Sequence, residues 1–287
     1  MTHSYRASGN PFVVAATNSA LRAPVAGIEQ SWSGECGLPE ADRGGTGRLG
    51  RVNGILALVG SGEFTPAMDE VDRVLLTATG RDKPRVAIVP TASWPDGETV
   101  FMRWAAMGES HFTALGAMPV PVLIRDQAGA EDSEAVAEIA RADLIYLSGG
   151  KPGYLLAMLR DSAAGAALRV AHARGSVIAG CSAGAMVLGG HQVRLGGGRF
   201  LQSPIGWEDG LGLVPGIVVM PHYDAIPETL VAPLVLAAPA GVLVVGIDED
   251  TAVVGRDGSW QVHGRGRVTV WRGRRRDRHR AGSGISF

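Results

Sequence analysis

Short apolar runs alternate with segments of helical spacing between residues 54 and 175. The runs predict four strands: Ile55–Val59, Val86–Val89, Val120–Ile124 and Leu144–Leu147. Between and after them, apolar residues recur with the period of a helix over residues 67–79, 98–115, 132–141 and 153–174. Continuous apolar strands that alternate with helices are typical of a parallel sheet covered on both faces. We therefore expect an α/β fold with a doubly wound, mostly parallel sheet.

The last third of the chain has a different pattern. Three further strands are expected at Gly216–Met220, Leu243–Ile247 and Thr251–Val254. Apolar and polar residues alternate on either side of Gly264-Arg265-Gly266, which predicts an antiparallel hairpin of Trp260–His263 with Val268–Trp271. We expect these strands to form a C-terminal antiparallel extension on one side of the sheet.

Both ends of the chain differ from this central pattern. Residues 1–52 are rich in Gly, Ser, Arg and Ala and show no sustained period, which predicts a poorly ordered N-terminal extension. Arginine dominates the start of residues 273–287, which we interpret as a solvated basic C-terminal tail. One α/β domain is expected between them, over residues 53–272.

Composition argues against a polyanionic or membrane partner. The net charge is −1 and the sequence pI is about 6.7, so no overall field attracts nucleic acid or an anionic membrane. No apolar run reaches the length of a membrane span, and the N-terminal residues do not resemble a secretory signal. The two cysteines, Cys36 and Cys181, form no disulfide framework, so a reducing cytoplasm is the simplest setting.

The stretch Gly180-Cys181-Ser182-Ala183-Gly184 carries the most specific chemistry, because it fits the G-x-S-x-G pattern of a nucleophilic serine. The apolar run Ser176–Ala179 precedes it and predicts a buried strand, and Ala185–Leu188 can open a helix after it. A serine on a tight turn between a strand and a helix is exposed at the carboxyl edge of the sheet. A turn of small residues that only allows tight packing is the alternative.

A serine hydroxyl needs a base within hydrogen-bond reach. Of the seven histidines, His222 directly follows the apolar strand that ends at Met220, so it lies at the same sheet edge as Ser182. His191, after the helix that follows the serine, is a weaker candidate, and a purely structural histidine is the alternative. For the oxyanion, Ala183 supplies one backbone N–H and the pair Gly149-Gly150 can supply the other, unless that pair is an ordinary turn.

Together these residues resemble the cyanophycinase and aspartyl dipeptidase family of serine peptidases, which has a class I glutamine-amidotransferase-like fold. The resemblance covers roughly residues 54–271. Its landmarks are Ile88–Ser93, Leu147–Gly150, Gly180–Ala185, Gly210–Leu213, Pro221–Tyr223 and Gly246–Ala252. The serine motif and the last of these stretches are the most specific, and the latter is more similar to the cyanophycinase side.

The resemblance implies a function and a set of roles. Ser182 matches the nucleophile, His222 the base, and Gly150 with Ala183 the oxyanion hole. The expected activity is hydrolysis of a peptide or isopeptide bond beside an aspartyl residue in a short substrate, without metal or other cofactor. The sequence leaves a homodimer open as the assembly.

Two departures from the family pattern matter. The region Leu195–Gln202, where the family carries an acid that orients the histidine, has no carboxylate. We therefore expect that acid to be Glu208, with Asp209, Asp224 or no acid as alternatives; Glu208 precedes the strand that delivers His222. The segment after Gly149-Gly150 also differs, and its Lys151 is a candidate for holding a substrate carboxylate, or else a solvated lysine.

Three consecutive acids, Asp248-Glu249-Asp250, could suggest a metal site, but consecutive side chains rarely converge, and we interpret them as structural or surface residues. Gly60-Ser61-Gly62-Glu63 lacks the spacing of a phosphate-binding loop. Because an orienting acid is not evident, a non-catalytic protein of the same fold that binds a ligand or partner is the main alternative. An esterase that uses the same serine is a third hypothesis.

Overall fold

A computed structural model describes residues 53–194 and 206–287, and the predicted N-terminal extension lies outside them. Within these residues the strands are β1 (Leu56–Val59), β2 (Arg85–Val89), β3 (Met118–Pro121), β4 (Leu144–Leu147), β5 (Val177–Cys181), β6 (Gly189–Arg194), β7 (Gly206–Asp209), β8 (Val214–Met220), β9 (Leu243–Ile247), β10 (Thr251–Arg256), β11 (Ser259–Gly264), β12 (Arg267–Arg272), β13 (Arg275–Arg280) and β14 (Gly284–Ser286). The helices are α1 (Asp69–Ala78), α2 (Glu98–Ala114), α3 (Gln127–Glu131), α4 (Ser133–Arg141), α5 (Pro152–Leu159), α6 (Ala163–Ala173), α7 (Ala183–Leu188) and α8 (Glu228–Leu236).

The larger sheet has eight strands in the order β14-β11-β10-β1-β5-β4-β2-β3. Its five strands from β1 to β3 are parallel, and β10, β11 and β14 extend it antiparallel beyond β1. Apolar side chains on one face pack against α1 and α2, while those on the other face join the core beside α4, α5, α6 and α7. The expected doubly wound α/β fold with an antiparallel extension is confirmed.

The smaller sheet has six strands in the order β13-β12-β9-β8-β6-β7. Strands β6, β8 and β9 are parallel, and the other three are antiparallel to their neighbours. The predicted hairpin of β11 with β12 is therefore wrong: β11 pairs with β10 in the larger sheet and β12 pairs with β9 in the smaller one. Strand β11 buries alternate residues and β12 buries four consecutive ones, and Gly264–Gly266 crosses from one sheet to the other where a hairpin turn was expected.

One buried apolar cluster joins the two sheets. Side chains of the larger sheet such as Leu58 and Val253 belong to the same cluster as Val219 and Val245 of the smaller sheet, with Val187 of α7 also in it. The outer face of the smaller sheet is covered by α8 through Val231 and Val235. The carboxyl ends of β5, β8 and β9 are thus presented by two sheets that share one core.

Other predicted elements also differ from the structure. The helix expected over residues 153–174 is two helices, α5 and α6, because Ser162 begins a new helix by accepting a hydrogen bond from the Gly165 N–H. Residues 273–287 are not a free tail, since they contain β13 at the edge of the smaller sheet and β14 beside β11. Ion pairs from Arg276 and Arg278 to Glu228 of α8 hold β13 in place. Across the described ranges, every helix is too short or too polar to span a bilayer.

Candidate active site

Ser182 lies at the turn between β5 and α7, in a backbone conformation that serine rarely adopts. Its φ is 49° and its ψ is −108°, which places it among the strained positions that cluster at functional sites. The flanking glycines are required by close approach: a Cβ on Gly184 would lie 2.2 Å from the Leu147 oxygen, and one on Gly180 would lie 2.4 Å from Gly184. The turn has the strand, strained serine and helix of a nucleophile elbow.

His222 reaches Ser182 from the other sheet. It follows β8 and adopts the left-handed helical conformation, with φ 50° and ψ 39°, which turns the chain at the strand end. Its Nε2 lies 2.9 Å from the Ser182 Oγ, within the range in which a base can take the hydroxyl proton. His191, the weaker candidate, instead lies 3.1 Å from Asp209 Oδ1 through its Nδ1.

The far nitrogen of His222 faces a carboxylate that the sequence reasoning did not select. Nδ1 lies 2.8 Å from Glu249 Oε1, and Glu249 lies in the loop that joins β9 to β10. The side chains of His222 and Glu249 are 42% and 50% exposed, so the pair lies at the mouth of the site. A carboxylate at this position fixes the tautomer that leaves Nε2 free to accept a proton.

The three residues come from both sheets. Ser182 follows a strand of the larger sheet, His222 follows a strand of the smaller sheet, and Glu249 lies on the chain segment that passes from the smaller sheet to the larger one. Asp224 fixes this segment, because its Oδ1 accepts the Glu249 backbone N–H at 2.9 Å. Thr251 adds a second tether by donating its hydroxyl to the Glu249 carbonyl at 2.9 Å.

The structure corrects the choice of Glu208 as the orienting acid. Glu208 lies on β7, where its Oε1 accepts a hydrogen bond from Gln192 at 2.9 Å and its Oε2 lies 3.9 Å from Arg160. Asp209 pairs with His191, and Asp224 acts on the Glu249 backbone, so neither contacts the far nitrogen of His222. Strand β7 is the outermost strand of its sheet, with β6 between it and β8, which carries Glu208 away from His222.

The pairing of two strands, which no local sequence pattern reveals, explains why Glu249 lies beside His222. Strands β8 and β9 are parallel neighbours in which Met220 pairs with Gly246. His222 comes two residues after the first of these and Glu249 three residues after the second, so both leave the same sheet edge. The run of three acids concealed this position, although its members diverge: Asp248 accepts the Arg267 backbone N–H at 2.9 Å, while Glu249 faces the histidine.

Two backbone N–H groups lie beside the serine. Ala183 is the first residue of α7, and the Gly149-Gly150 turn lies so close that a Cβ on Gly149 would be 3.3 Å from the Ser182 Cβ. Gly150 has a φ of 140°, and a Cβ there would lie 2.3 Å from the Ala92 oxygen, so only glycine fits. Within the described residues, neither the Gly150 nor the Ala183 N–H donates to another backbone group. Both therefore remain candidates for an oxyanion hole.

Lys151 is 57% exposed at the rim, and its ammonium lies 3.0 Å from Asp96 Oδ1. Cys181, beside the serine in the sequence, is fully buried in the apolar cluster that includes residues of α1 and α2. Its thiol is therefore not accessible to a substrate and does not compete as the nucleophile. Burial raises the pKa of its thiol well above the ordinary value, and Glu63 adds to that effect. Among the described residues, no group of three metal-binding side chains converges.

Comparison with known proteins decides the family. The model of peptidase family S51 matches residues 56–263. The chain belongs to peptidase family S51. The resemblance found in its motifs is thereby confirmed, and the chain is a serine-type peptidase.

Individual relatives agree with this assignment. A cyanophycinase of Nostoc sp. is 31% identical over 218 residues, which cover 74% of this chain and 72% of the relative. The uncharacterized peptidase YgaJ of Bacillus subtilis is 29% identical over 59% of this chain and 68% of its own length. The crystal structure of a peptidase from an acI-B1 actinobacterium superposes with a TM-score of 0.74 at 32% identity, covering 83% of this chain and 98% of that one. The expected class I glutamine-amidotransferase-like fold is confirmed.

Proposed function

We propose that Ser182, His222 and Glu249 form a catalytic triad that hydrolyses a peptide or isopeptide bond beside an aspartyl residue in a short substrate. The observation that carries the proposal is the continuous hydrogen-bonded chain from the Ser182 hydroxyl through both nitrogens of His222 to Glu249, with links of 2.9 and 2.8 Å. Nucleophile, base and orienting carboxylate in this order define the acyl-transfer arrangement found on several unrelated folds.

The chemistry follows from these contacts. The Ser182 Oγ attacks the scissile carbonyl while His222 Nε2 takes its proton, and Glu249 stabilises the imidazolium that results. The N–H groups of Gly150 and Ala183 hold the negative oxygen of the tetrahedral intermediate. The imidazolium then returns the proton to the leaving amine, and water attacks the acyl-enzyme by the reverse path to release Ser182 and the acid product.

The aspartyl preference is the finer part of the proposal. It is supported by similarity to cyanophycinases and by Lys151 at the rim of the site. Lys151 is paired with Asp96 and 57% exposed, so a substrate carboxylate can replace Asp96 as its partner without burying a charge. The cytoplasm is the proposed setting, since the two cysteines of the chain provide no disulfide framework.

The alternative of a non-catalytic ligand- or partner-binding protein rested on a missing acid. Glu249 favours the catalytic proposal over this alternative, because it places a carboxylate 2.8 Å from the His222 Nδ1, where the alternative assumed that none was present. The esterase hypothesis uses the same residues and differs only in substrate, so it is separated by assay.

Labelling with a fluorophosphonate probe tests the proposal. The wild-type protein should incorporate one probe at Ser182, and Ser182→Ala should incorporate none; labelling that persists in this variant would refute the role of Ser182. The substrate is tested with matched dipeptides that carry an α- or β-linked aspartyl residue, the corresponding asparaginyl dipeptides and a simple acyl ester. Hydrolysis of the ester alone would favour an esterase.

A further inference from the structure

The loop after β1 contains a buried acid that the proposed triad does not use. Glu63 is 5% exposed, so its carboxylate is largely shielded from solvent. Its Oε1 accepts the Gly149 backbone N–H at 2.8 Å, and its Oε2 lies 2.9 Å from the Cys181 Sγ. One carboxylate thereby joins the residue before Gly150 to the residue before Ser182.

We propose that Glu63 is a positioning residue for the oxyanion hole, acting through its hydrogen bond to Gly149. This inference rests on the proposed function and names a residue that sets the geometry of the same site. The strand order explains why the residue comes from this loop: β5 lies between β1 and β4, so a side chain from the loop after β1 can contact both the end of β5 and Gly149 after β4.

The peptide that bears the Gly150 N–H has a tether on each side. Glu63 holds the Gly149 N–H before it, and the Ala92 carbonyl accepts the Lys151 N–H at 2.7 Å after it. Glycine at both positions gives this peptide freedom to rotate, and without Glu63 only the second tether remains. Under this proposal, the orientation of the Gly150 N–H therefore depends on the carboxylate.

The loop is shaped to deliver Glu63 inward. Gly62 and Phe64 on either side of it have positive φ values of 84° and 63°. This conformation is strained for Phe64, whose ring packs against Tyr146 with 5.0 Å between the ring centroids. The Thr65 hydroxyl donates to the Gly62 carbonyl at 2.7 Å and closes the turn. The Cys181 thiol, kept protonated by its raised pKa, can donate to the second carboxylate oxygen and fix its orientation.

Two substitutions of similar size separate an acceptor from a space-filling role. Glu63→Gln keeps an oxygen that can accept the Gly149 N–H, whereas Glu63→Met fills the same volume with no acceptor. We expect Glu63→Met to lower kcat by about 10- to 100-fold with KM within about two-fold. This loss is smaller than the roughly 10²–10³-fold cost of removing a whole oxyanion donor, because Ala183 keeps its N–H. Glu63→Gln should stay within about five-fold of wild type.

A matched control distinguishes this role from stability alone. Asp72→Asn alters another fully buried acid on the same side of the sheet, which is hydrogen-bonded to His111. It should lower the melting temperature without lowering kcat or the rate of fluorophosphonate labelling. Glu63→Met should slow the labelling rate by the same factor as kcat, since the phosphonyl oxygen occupies the oxyanion hole.

The outcomes separate the two proposals. If wild type hydrolyses substrate and Glu63→Met keeps kcat within three-fold, the role of Glu63 is overturned while the triad stands. If Glu63→Gln loses as much as Glu63→Met, the acceptor argument fails. If wild type neither turns over nor labels, the proposed function fails, and the positioning role with it. Amide hydrogen exchange then still reports whether Gly149 loses protection in Glu63→Met, which isolates the hydrogen bond from catalysis.

Discussion

Replacing Glu249 by glutamine is the most direct test of the proposed triad. The substitution preserves shape and leaves Ser182 and His222 in place, but it removes the negative charge opposite Nδ1. Two losses follow: the imidazolium formed in the transition state is no longer stabilised, and an amide N–H can favour the wrong histidine tautomer. Both lower kcat rather than raise KM.

The size of the effect follows from the exposure of the pair. Unit charges about 4 Å apart attract by about 1 kcal/mol in bulk water and about 4 kcal/mol near a protein surface. At about 1.36 kcal/mol per factor of ten, these limits correspond to about 5-fold and about 10³-fold in rate. The side chains of His222 and Glu249 are 42% and 50% exposed, so we expect a loss of about 10²-fold. A loss of about 10⁴-fold occurs when the acid is buried and the tautomer is fixed wrongly.

The assay is steady-state turnover of a confirmed substrate by Glu249→Gln and by Glu208→Gln as the matched control. Glu208→Gln should leave kcat within two-fold, because that carboxylate contacts Gln192 and Arg160 instead of the histidine. Turnover of Glu249→Gln within three-fold of wild type would refute the orienting role and leave a dyad of serine and histidine.

Three further predictions address the rim, the pH dependence and the C-terminal strands. Lys151→Ala should raise KM for a substrate with a free carboxylate and leave kcat unchanged, while Asp96→Asn should lower that KM. As a control, the wild type and both variants should have equal KM values for the same substrate with its carboxylate amidated; unequal values would contradict a role of Lys151 in binding the carboxylate. Burial lowers the pKa of His172 below its ordinary value of 6.5, so the unfolded chain binds a proton that the folded state resists. The free energy of unfolding should therefore fall as the pH drops from 7 toward 5, and His172→Gln should flatten this slope in urea titrations, whereas an unchanged slope would contradict the argument. Deleting residues 273–287 should lower the melting temperature, since β13 pairs with β12 along its length and Ile285 is 5% exposed; a free tail would leave it unchanged.

The sequence predicted those parts of the site that depend on a single strand. Ser182 and His222 each directly follow an apolar run, so their position at a carboxyl edge can be inferred locally. Glu249 could not be inferred in this way, because its role depends on β8 and β9 being neighbours, which no local pattern reveals. The absence of an acid where the family places one drew attention to Glu208, whose outer strand leads away from the site.

The fold could likewise be predicted where it depends on local patterns, but not where it depends on which strands are neighbours. The parallel strands and most helices could be predicted, since continuous burial and helical spacing are local properties. The pairing of β11 and β12 could not, because alternation shows that a strand has one buried face without naming its partner. The arginines of β13 concealed a strand for a related reason: charged side chains suit an edge strand, which they protect from further pairing, but composition alone resembles a solvated tail.

The proposed triad is divided between two sheets, so its geometry depends on how the two sheets are aligned. A small slip of one sheet against the other, through core residues such as Val187 or Val245, lengthens the distance from Ser182 to His222 before any strand is lost. The rate of proton transfer falls steeply as that distance grows, whereas the free energy of folding is distributed over the whole core. Substitutions in the shared core, and heating, should therefore abolish turnover while circular dichroism still reports a folded protein.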